Sequence, residues 1–263
     1  MYNIERKSEI INLLEKSGSV DVSFLASKFG TSKETIRRDL NEMEEEGVIR
    51  RTHGGAVLSQ LSTPNAPVEE YPLTVRGIQR FQEKNQICKQ AASYIKDGDI
   101  VFVDNSSTTM YLTKYIPAEL HVTIITNSIK ILLESAKTSK PNHMLICLGG
   151  IFNSSNLSVY GSSSLKNAED YYPNKAFLSC AGIGQQNILA DSSIYEIDTK
   201  RMMIDRVPEV FILADYTKFQ KTSQIFLCKV SDVNYIITDS KVTEESAGYL
   251  DKSNLKLIIA DEE

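Results

Sequence analysis

Apolar residues first recur at helical spacing. Ile4, Ile10, Ile11, Leu13 and Leu14 stand among charges, and Gly18 closes the run. Asp21 is placed to cap a second helix with Val22, Leu25, Ala26 and Phe29 on its apolar side, ended by Gly30. Thr31 or Ser32 caps a third, in which Ile36, Leu40 and Met43 share one face and Gly47 marks the end. The stretch from Val48 to Leu58 reads as two short strands about a Gly54-Gly55 turn. Three helices and a hairpin predict a winged helix-turn-helix over residues 1–58.

Pro64, Pro67 and Pro72 interrupt the next segment, so residues 59–75 read as a linker. A long helix is predicted from Arg76 to Lys96, and Asp97-Gly98-Asp99 turns it into a strand from Ile100 to Val103. Strand-like apolar runs at 122–126, 144–148, 176–181, 210–214, 235–238 and 255–260 then alternate with helical stretches. That alternation predicts βαβ units on a mainly parallel sheet over residues 76–263. The fold class is therefore α/β, a winged helix-turn-helix followed by a mainly parallel α/β domain.

Composition changes this picture little. With 41% hydrophobic and 24% charged residues, 263 residues suit two soluble globular domains. The first residues carry charges throughout and no apolar stretch approaches membrane-spanning length, which makes a cytoplasmic protein with no membrane partner the expectation. Cys88, Cys147, Cys180 and Cys228 are widely separated and read as core or helix cysteines, so no metal site and no cofactor is expected. Net charge is −5, which argues against a general nucleic-acid binder and requires any cationic surface to be local.

Such a surface is available. The third helix carries Lys33, Glu34, Thr35, Arg37, Arg38 and Asn41 away from its apolar stripe, while Ser32 and the first-turn amides suit a phosphate. Arg37 or Arg38 suits bidentate bonding to guanine, and the sequence leaves open which of the two reads a base. Arg50, Arg51 and His53 beside the Gly54 turn suit a phosphate backbone or the minor groove. The competing reading is a solvated charged surface.

The run Ser32-Lys33-Glu34-Thr35-Ile36-Arg37-Arg38-Asp39-Leu40, followed by Gly47 and Arg51-Thr52-His53-Gly54-Gly55-Ala56, closely resembles the signature of the DeoR family of transcription regulators. The resemblance implies that the first segment is the DNA-recognition helix and the second belongs to the wing. Asp39 is assigned to orienting a neighbouring arginine or capping the fold. The resemblance extends over nearly the whole chain and implies a C-terminal half similar to ribose-5-phosphate isomerase and related sugar-phosphate enzymes.

In that half, Asp104, Asn105, Ser106, Ser107, Thr108 and Thr109 follow a strand and place hydroxyls and amides where an anion would bind. Thr126-Asn127-Ser128 and Gly149-Gly150 also stand at strand ends, the glycines allowing a ligand to approach. Glu196 with Lys200, and Asp215 with Lys218, resemble the family's effector-pocket acid and lysine positions. The competing readings are a helix cap, a surface ion pair and a plain turn. Ser106 stands where the family usually has glycine, and Asn187-Ile188-Leu189 replaces a common Gly-Leu-Thr. Added side chains there are expected to narrow the pocket or change its preferred sugar.

The expected function is a DNA-binding transcription regulator, usually a repressor in this family, acting on a carbohydrate catabolism operon. Its partners would be double-stranded operator DNA, a phosphorylated sugar and a second copy of the chain. A sugar-phosphate isomerase or deaminase using Asp104, Glu196, Lys200 and Lys218 is the enzymatic alternative, disfavoured because no short segment concentrates acid and base groups. A pure protein-docking module is the third, disfavoured by Arg37, Arg38, Arg50 and Arg51.

Overall fold

A computed structural model describes residues 3–59, 72–251 and 253–261, and the chain divides into two compact units, Met1–Gln82 and Glu83–Glu263.

The first unit is built as the periodicity predicts. α1 (Asn3–Ser17) leads through β1 (Ser19–Asp21) into α2 (Val22–Phe29) and α3 (Lys33–Glu45), and β2 (Ile49–Thr52) pairs with β3 (Gly55–Leu58) to form the wing. Asp21 caps α2 by accepting the Ser23 and Phe24 amides, and Gly30 ends it in the left-handed region at φ 61°. Ser32, rather than Thr31, caps α3 by accepting the Thr35 amide at 3.1 Å. Ile10, Ile11, Leu25, Ile36, Leu40 and Met43 are fully buried in one core.

Two features of this unit differ from expectation. β1 adds a third strand, giving the order β1-β3-β2. The hairpin turn is His53-Gly54, with Gly54 at φ 96°, while Gly55 already belongs to β3. Gly55 serves a separate purpose, since a Cβ there would lie 1.9 Å from the Val20 carbonyl oxygen of β1. Only a bare backbone lets β1 pack against the wing.

Charge is also buried here. Asp39, fully buried on the inner face of α3, takes two hydrogen bonds from the Arg6 guanidinium of α1, one of them at 3.0 Å. The bond to Asp39 outweighs burial and holds the Arg6 pKa above its ordinary value. The arginine that Asp39 orients is therefore Arg6, not Arg37 or Arg38.

Of the expected linker, residues 60–71 lie outside the described residues, and Leu73–Ile78 is helix α4, with Val75 and Ile78 in the first unit's core. The long helix expected over Arg76–Lys96 is instead α4 and α5 (Phe81–Ala92), separated where Gln79 is extended and Arg80 is left-handed at φ 53°. Residues 76–82 accordingly fall with the first unit rather than at the start of the second.

In the second unit every long apolar run forms a strand of one all-parallel sheet: β4 (Ile100–Val103), β5 (Val122–Thr126), β6 (His143–Cys147), β9 (Lys175–Leu178), β12 (Glu209–Leu213), β14 (Tyr235–Thr238) and β15 (Lys256–Ile259). α6 (Leu112–Tyr115), α7 (Ile129–Ser135), α8 (Ser162–Glu169), α9 (Ile197–Arg206) and α10 (Glu244–Ala247) lie along the connections. The rings of Phe177, Phe211 and Tyr235 stack across β9, β12 and β14, with centroids 4.7 and 4.4 Å apart, and fix the register. Strand order is β15-β14-β12-β9-β4-β5-β6. The chain thus winds outward in both directions from β4 and β9, whose carboxyl ends define the topological switch point.

Two small antiparallel pieces were not legible as strands, the hairpin β7 (Ile151–Asn153) with β8 (Ser158–Tyr160), and the sheet β10 (Gly182–Gly184), β11 (Ile188–Asp191) and β13 (Ile225–Lys229). Asn187 holds the turn before β11 at φ 58°, a conformation that asparagine tolerates best after glycine. The departure from Gly-Leu-Thr at this point keeps the turn. Cys88, Cys180 and Cys228 are buried free thiols, and Cys147 is exposed on the sheet edge.

Gly55→Ala is expected to lower the stability of the first unit by about 1–3 kcal/mol, because the strand must shift to admit the methyl group. Urea unfolding followed by circular dichroism measures this, and an unchanged midpoint would show that the close approach to Val20 is unimportant.

Candidate functional site

The first candidate surface is the outer face of α3 and the wing. Lys33, Arg37, Arg38, Arg50, His53 and Gly54 are all exposed, as is Ser32 at the cap. Thr35 is half-buried, and its hydroxyl lies 2.9 Å from that of Ser32. Arg37 makes an exposed ion pair with Glu34 at 3.5 Å, an interaction weak enough to yield to a phosphate. Arg51 behaves differently. Its amide donates to Glu44 at 2.7 Å and its guanidinium to the carbonyls of Gly55 at 3.2 Å and Arg37 at 3.4 Å, as well as to Asn41 Oδ1. This half-buried side chain ties the wing to α3.

The second lies at the switch point. Asp104, at the end of β4, is fully buried and accepts the Ser106 amide at 3.1 Å, the Ser179 amide at 3.0 Å and the Thr109 hydroxyl at 2.5 Å. Lys200 of α9 reaches Asp104 at 3.0 Å, Asp191 at the end of β11 at 2.7 Å and the Ser179 carbonyl at 3.0 Å. Burial works against this ammonium, but the two carboxylates outweigh it and raise its pKa above the ordinary lysine value. Burial likewise opposes the Asp191 charge, yet Lys200 and the Ser192 and Ser193 amides pull its pKa below the ordinary range.

The rest of the β4 loop is locked by its own side chains. Ser106 Oγ accepts the Thr109 amide at 3.1 Å and bonds the Thr109 hydroxyl at 2.7 Å, so the serine that replaces glycine turns inward as a cap. The Thr108 carbonyl accepts the Cys88 thiol at 3.0 Å. Ser107 is bonded at 3.0 Å by Lys84 of α5, which is only 4% exposed. Sequence reasoning missed Lys84, although its spacing with Ile87, Cys88 and Ala91 sets it on the buried face of α5.

At the end of β5, Thr126 donates to the Val103 carbonyl at 2.6 Å and accepts the Ser128 amide, while Ser128 caps α7. Asn127 Nδ2 donates to Asn105 Oδ1 at 3.3 Å. Gly149 and Gly150 follow β6 with positive φ, and a Cβ on Gly150 would lie 2.4 Å from Ser164 Oγ and 2.5 Å from the Tyr160 carbonyl. Packing against the β7–β8 hairpin requires that glycine.

Glu196 and Lys200 are both buried and belong to different networks. Glu196 Oε1 accepts the Ser158 hydroxyl at 2.6 Å and the Asn153 and Asn156 amides at 3.4 Å. After β12, Asp215 accepts the Thr217 amide at 3.0 Å, and Lys218 is half-buried. Cys180, just past β9, feels the charges of Lys218, Lys200, Asp191 and Asp215, but burial pushes its thiol up to about 12. It stays protonated at neutral pH and is no nucleophile. The structure thus joins Asp104 to Lys200, Asn105 to Asn127 and Ser107 to Lys84.

No group of three or more His, Cys, Asp or Glu among the described residues is disposed to hold a metal ion, and no helix among them is long and apolar enough to cross a membrane.

A winged helix with a cationic outer face, in one chain with a parallel α/β domain, defines a helix-turn-helix transcription regulator with an appended sensor domain. The DeoR-like helix-turn-helix domain matches residues 6–61, and the DeoR C terminal sensor domain matches residues 79–240. The chain belongs to the DeoR family, which consists of transcription regulators and not of enzymes. It is 34% identical to an uncharacterized HTH-type transcriptional regulator, YulB, of Bacillus subtilis, over 98% of this chain and 96% of that one. It is 30% identical to the HTH-type transcriptional repressor GlcR of the same species, over 100% and 98%, and 28% identical to the glycerol-3-phosphate regulon repressor of Escherichia coli, over 91% and 92%. A solved D-ribose-5-phosphate isomerase in complex with phospho-erythronic acid overlaps 52% of this chain and 53% of its own, at TM-score 0.39 and 14% identity.

Lys200→Met is expected to cost about 3–5 kcal/mol, since it strands two buried carboxylates. The sign with pH follows from Asp191. Its depressed pKa contributes stability that is complete above the unfolded carboxylate value of about 4 and is lost as pH falls through the lower folded value. Urea midpoints of the wild type measured from neutral pH down to about pH 3 should therefore fall, and Lys200→Met should flatten that descent.

Proposed function

We propose that this chain is a homodimeric cytoplasmic repressor of a carbohydrate catabolism operon, released from or fixed to its operator by a phosphorylated sugar. Residues 1–58 are the DNA-binding domain, and the effector domain begins after the joint at Arg80. In this reading Ser32, Lys33, Arg38, Arg50, His53 and Gly54 meet phosphates, and Arg37 with Thr35 meets base edges. Arg51 contributes by holding the wing in place. The observation that carries the DNA half is the exposure of both Arg37 and Arg38 on the outer face of a capped helix.

For the effector half, the reading rests on Lys84, a buried cation bonded to Ser107 at the switch point. A dianionic phosphate would replace the serine hydroxyl as a stronger partner of that ammonium, joined by the loop amides and Lys218. Asn105, Asn127 and Thr108 would line the remainder. Asp104, Ser106, Thr109, Thr126, Gly149, Gly150, Glu196, Lys200 and Asp215 would hold the walls. Relatives named as repressors, and one named for glycerol-3-phosphate, support the class of ligand and the direction of control. Dimerisation supplies two winged helices for two half-sites, and the effector acts by favouring one arrangement of the pair.

Fluorescence anisotropy with the DNA upstream of its own gene tests the first half. Arg37→Ala should abolish operator preference, Arg38→Ala and Arg50→Ala should weaken binding to all sequences and each reduce the salt slope by about one, and none should alter sugar-phosphate-induced thermal stabilisation. Binding without salt dependence would overturn it. For the second half, Lys84→Met, Ser107→Ala and Lys218→Ala should each remove most of the thermal shift produced by the best sugar phosphate. Unchanged shifts would refute the pocket.

A further inference from the structure

The polar residues at the switch point can be sorted by whether their hydrogen-bonding capacity is already used. Asp104, Ser106 and Thr109 satisfy one another, Thr126 is bonded to the Val103 carbonyl and the Ser128 amide, and Ser128 caps α7. Asn127 stands between the last two and is 1% exposed, yet its Oδ1 has no hydrogen-bond partner among the described residues. Leaving a buried carbonyl oxygen unsatisfied is unfavourable, so the position is built for a donor that arrives from elsewhere.

The chemistry of that donor follows from the neighbouring side chain. Asn127 Nδ2 donates to Asn105 Oδ1 at 3.3 Å, but the reciprocal bond from Asn105 Nδ2 to Asn127 Oδ1 is not made. The two amides form an open pair, in which Asn127 Oδ1 is left as a buried acceptor beside the N–H groups of Asn105 Nδ2. A phosphate, carboxylate or keto oxygen only accepts, and an ammonium only donates. A hydroxyl does both through a single oxygen, and it closes the pair into a complete ring of hydrogen bonds.

We infer that the open amide pair of Asn105 and Asn127 reads a hydroxyl of the effector, which donates to Asn127 Oδ1 and accepts from Asn105 Nδ2. This rests on the proposed sugar-phosphate site and deepens it. Asn105 and Ser107 lie two residues apart on one loop, so the loop that, with Lys84 of α5, offers Ser107 to the phosphate also offers Asn105, with Asn127 after β5, to the carbon skeleton. The ligand class narrows to phosphorylated polyols and sugars with a free hydroxyl near the phosphate. Phosphorylated keto acids lack the carbon-borne hydroxyl that completes the pair, and inorganic phosphate carries no hydroxyl apart from the phosphate group itself.

Isothermal titration of the full-length protein tests this with ribose 5-phosphate, glucose 6-phosphate and glycerol 3-phosphate, the singly deoxygenated partners of each, and inorganic phosphate. In the wild type, removing one particular hydroxyl should weaken binding about ten-fold or more. In Asn127→Leu the parent and that deoxy partner should bind equally, and in Asn105→Ala the gap should shrink. Equal binding of parent and every deoxy partner by the wild type would overturn the inference while leaving the phosphate site standing, and would assign the orphan acceptor to a water molecule. Persistence of the gap in Asn127→Leu would overturn it too. Failure of every phosphorylated probe to bind would refute the site and the inference together. Should Asn127→Leu not fold, as judged by circular dichroism, the wild-type deoxy series and Asn105→Ala decide the matter.

Discussion

One buried ammonium organises the second unit. Lys200 stands between Asp104 and Asp191 and also reaches the Ser179 carbonyl, so a single side chain of α9 fastens the ends of β4, β9 and β11 together. Taking three charges out of water is costly, and an isolated lysine could not survive there. The cost is offset because amides of Ser106, Ser179, Ser192 and Ser193 and the hydroxyl of Thr109 take the place of water around the carboxylates. With the loop ends so fixed, the remaining polar groups at the switch point keep constant positions, a condition for selective binding.

The first unit uses the same device on a smaller scale. Asp39 is locked to Arg6 on the inner face of α3, beside Ile36, Leu40 and Met43, while Arg37, Arg38 and Asn41 emerge on the outer face. The helix divides its residues by the 3.6-residue period, one set turned to the core and one turned outward. Asp39 therefore adds no negative charge to the outer face, because Arg6 neutralises it inside the protein.

Much of this was legible in sequence. The seven strands of the parallel sheet read as compact, mainly apolar runs, and the central ones, β4, β9, β12 and β14, are buried along most of their length. The caps at Asp21 and Ser32 and the stops at Gly18, Gly30 and Gly47 follow from local chemistry. What escaped depended on partners far along the chain. Lys84, Lys200, Arg6 and Arg51 carry charges that ordinarily mark solvent, and only tertiary contacts show that they face inward. The break at Gln79 and Arg80 escaped for a related reason, because Gly77 lies inside α4 rather than at the break, and neither Gln79 nor Arg80 is a residue that ordinarily interrupts a helix. Three-residue strands such as Gly182–Gly184 carry too few alternations to register. At the switch point, the sequence drew attention to several strand ends but could not separate side chains occupied with one another from those left available.

The brace formed by Arg51 has a consequence for how such a protein can be controlled. The wing and α3 are clamped through Asn41, the Arg37 carbonyl and the Gly55 carbonyl, which on the proposed function makes them a stamp of fixed relief. A signal can press that stamp or lift it, but cannot change what it prints. On that reading, sequence preference is insulated from nutritional state, and the promoter address stays the same whether the gene is silent or expressed.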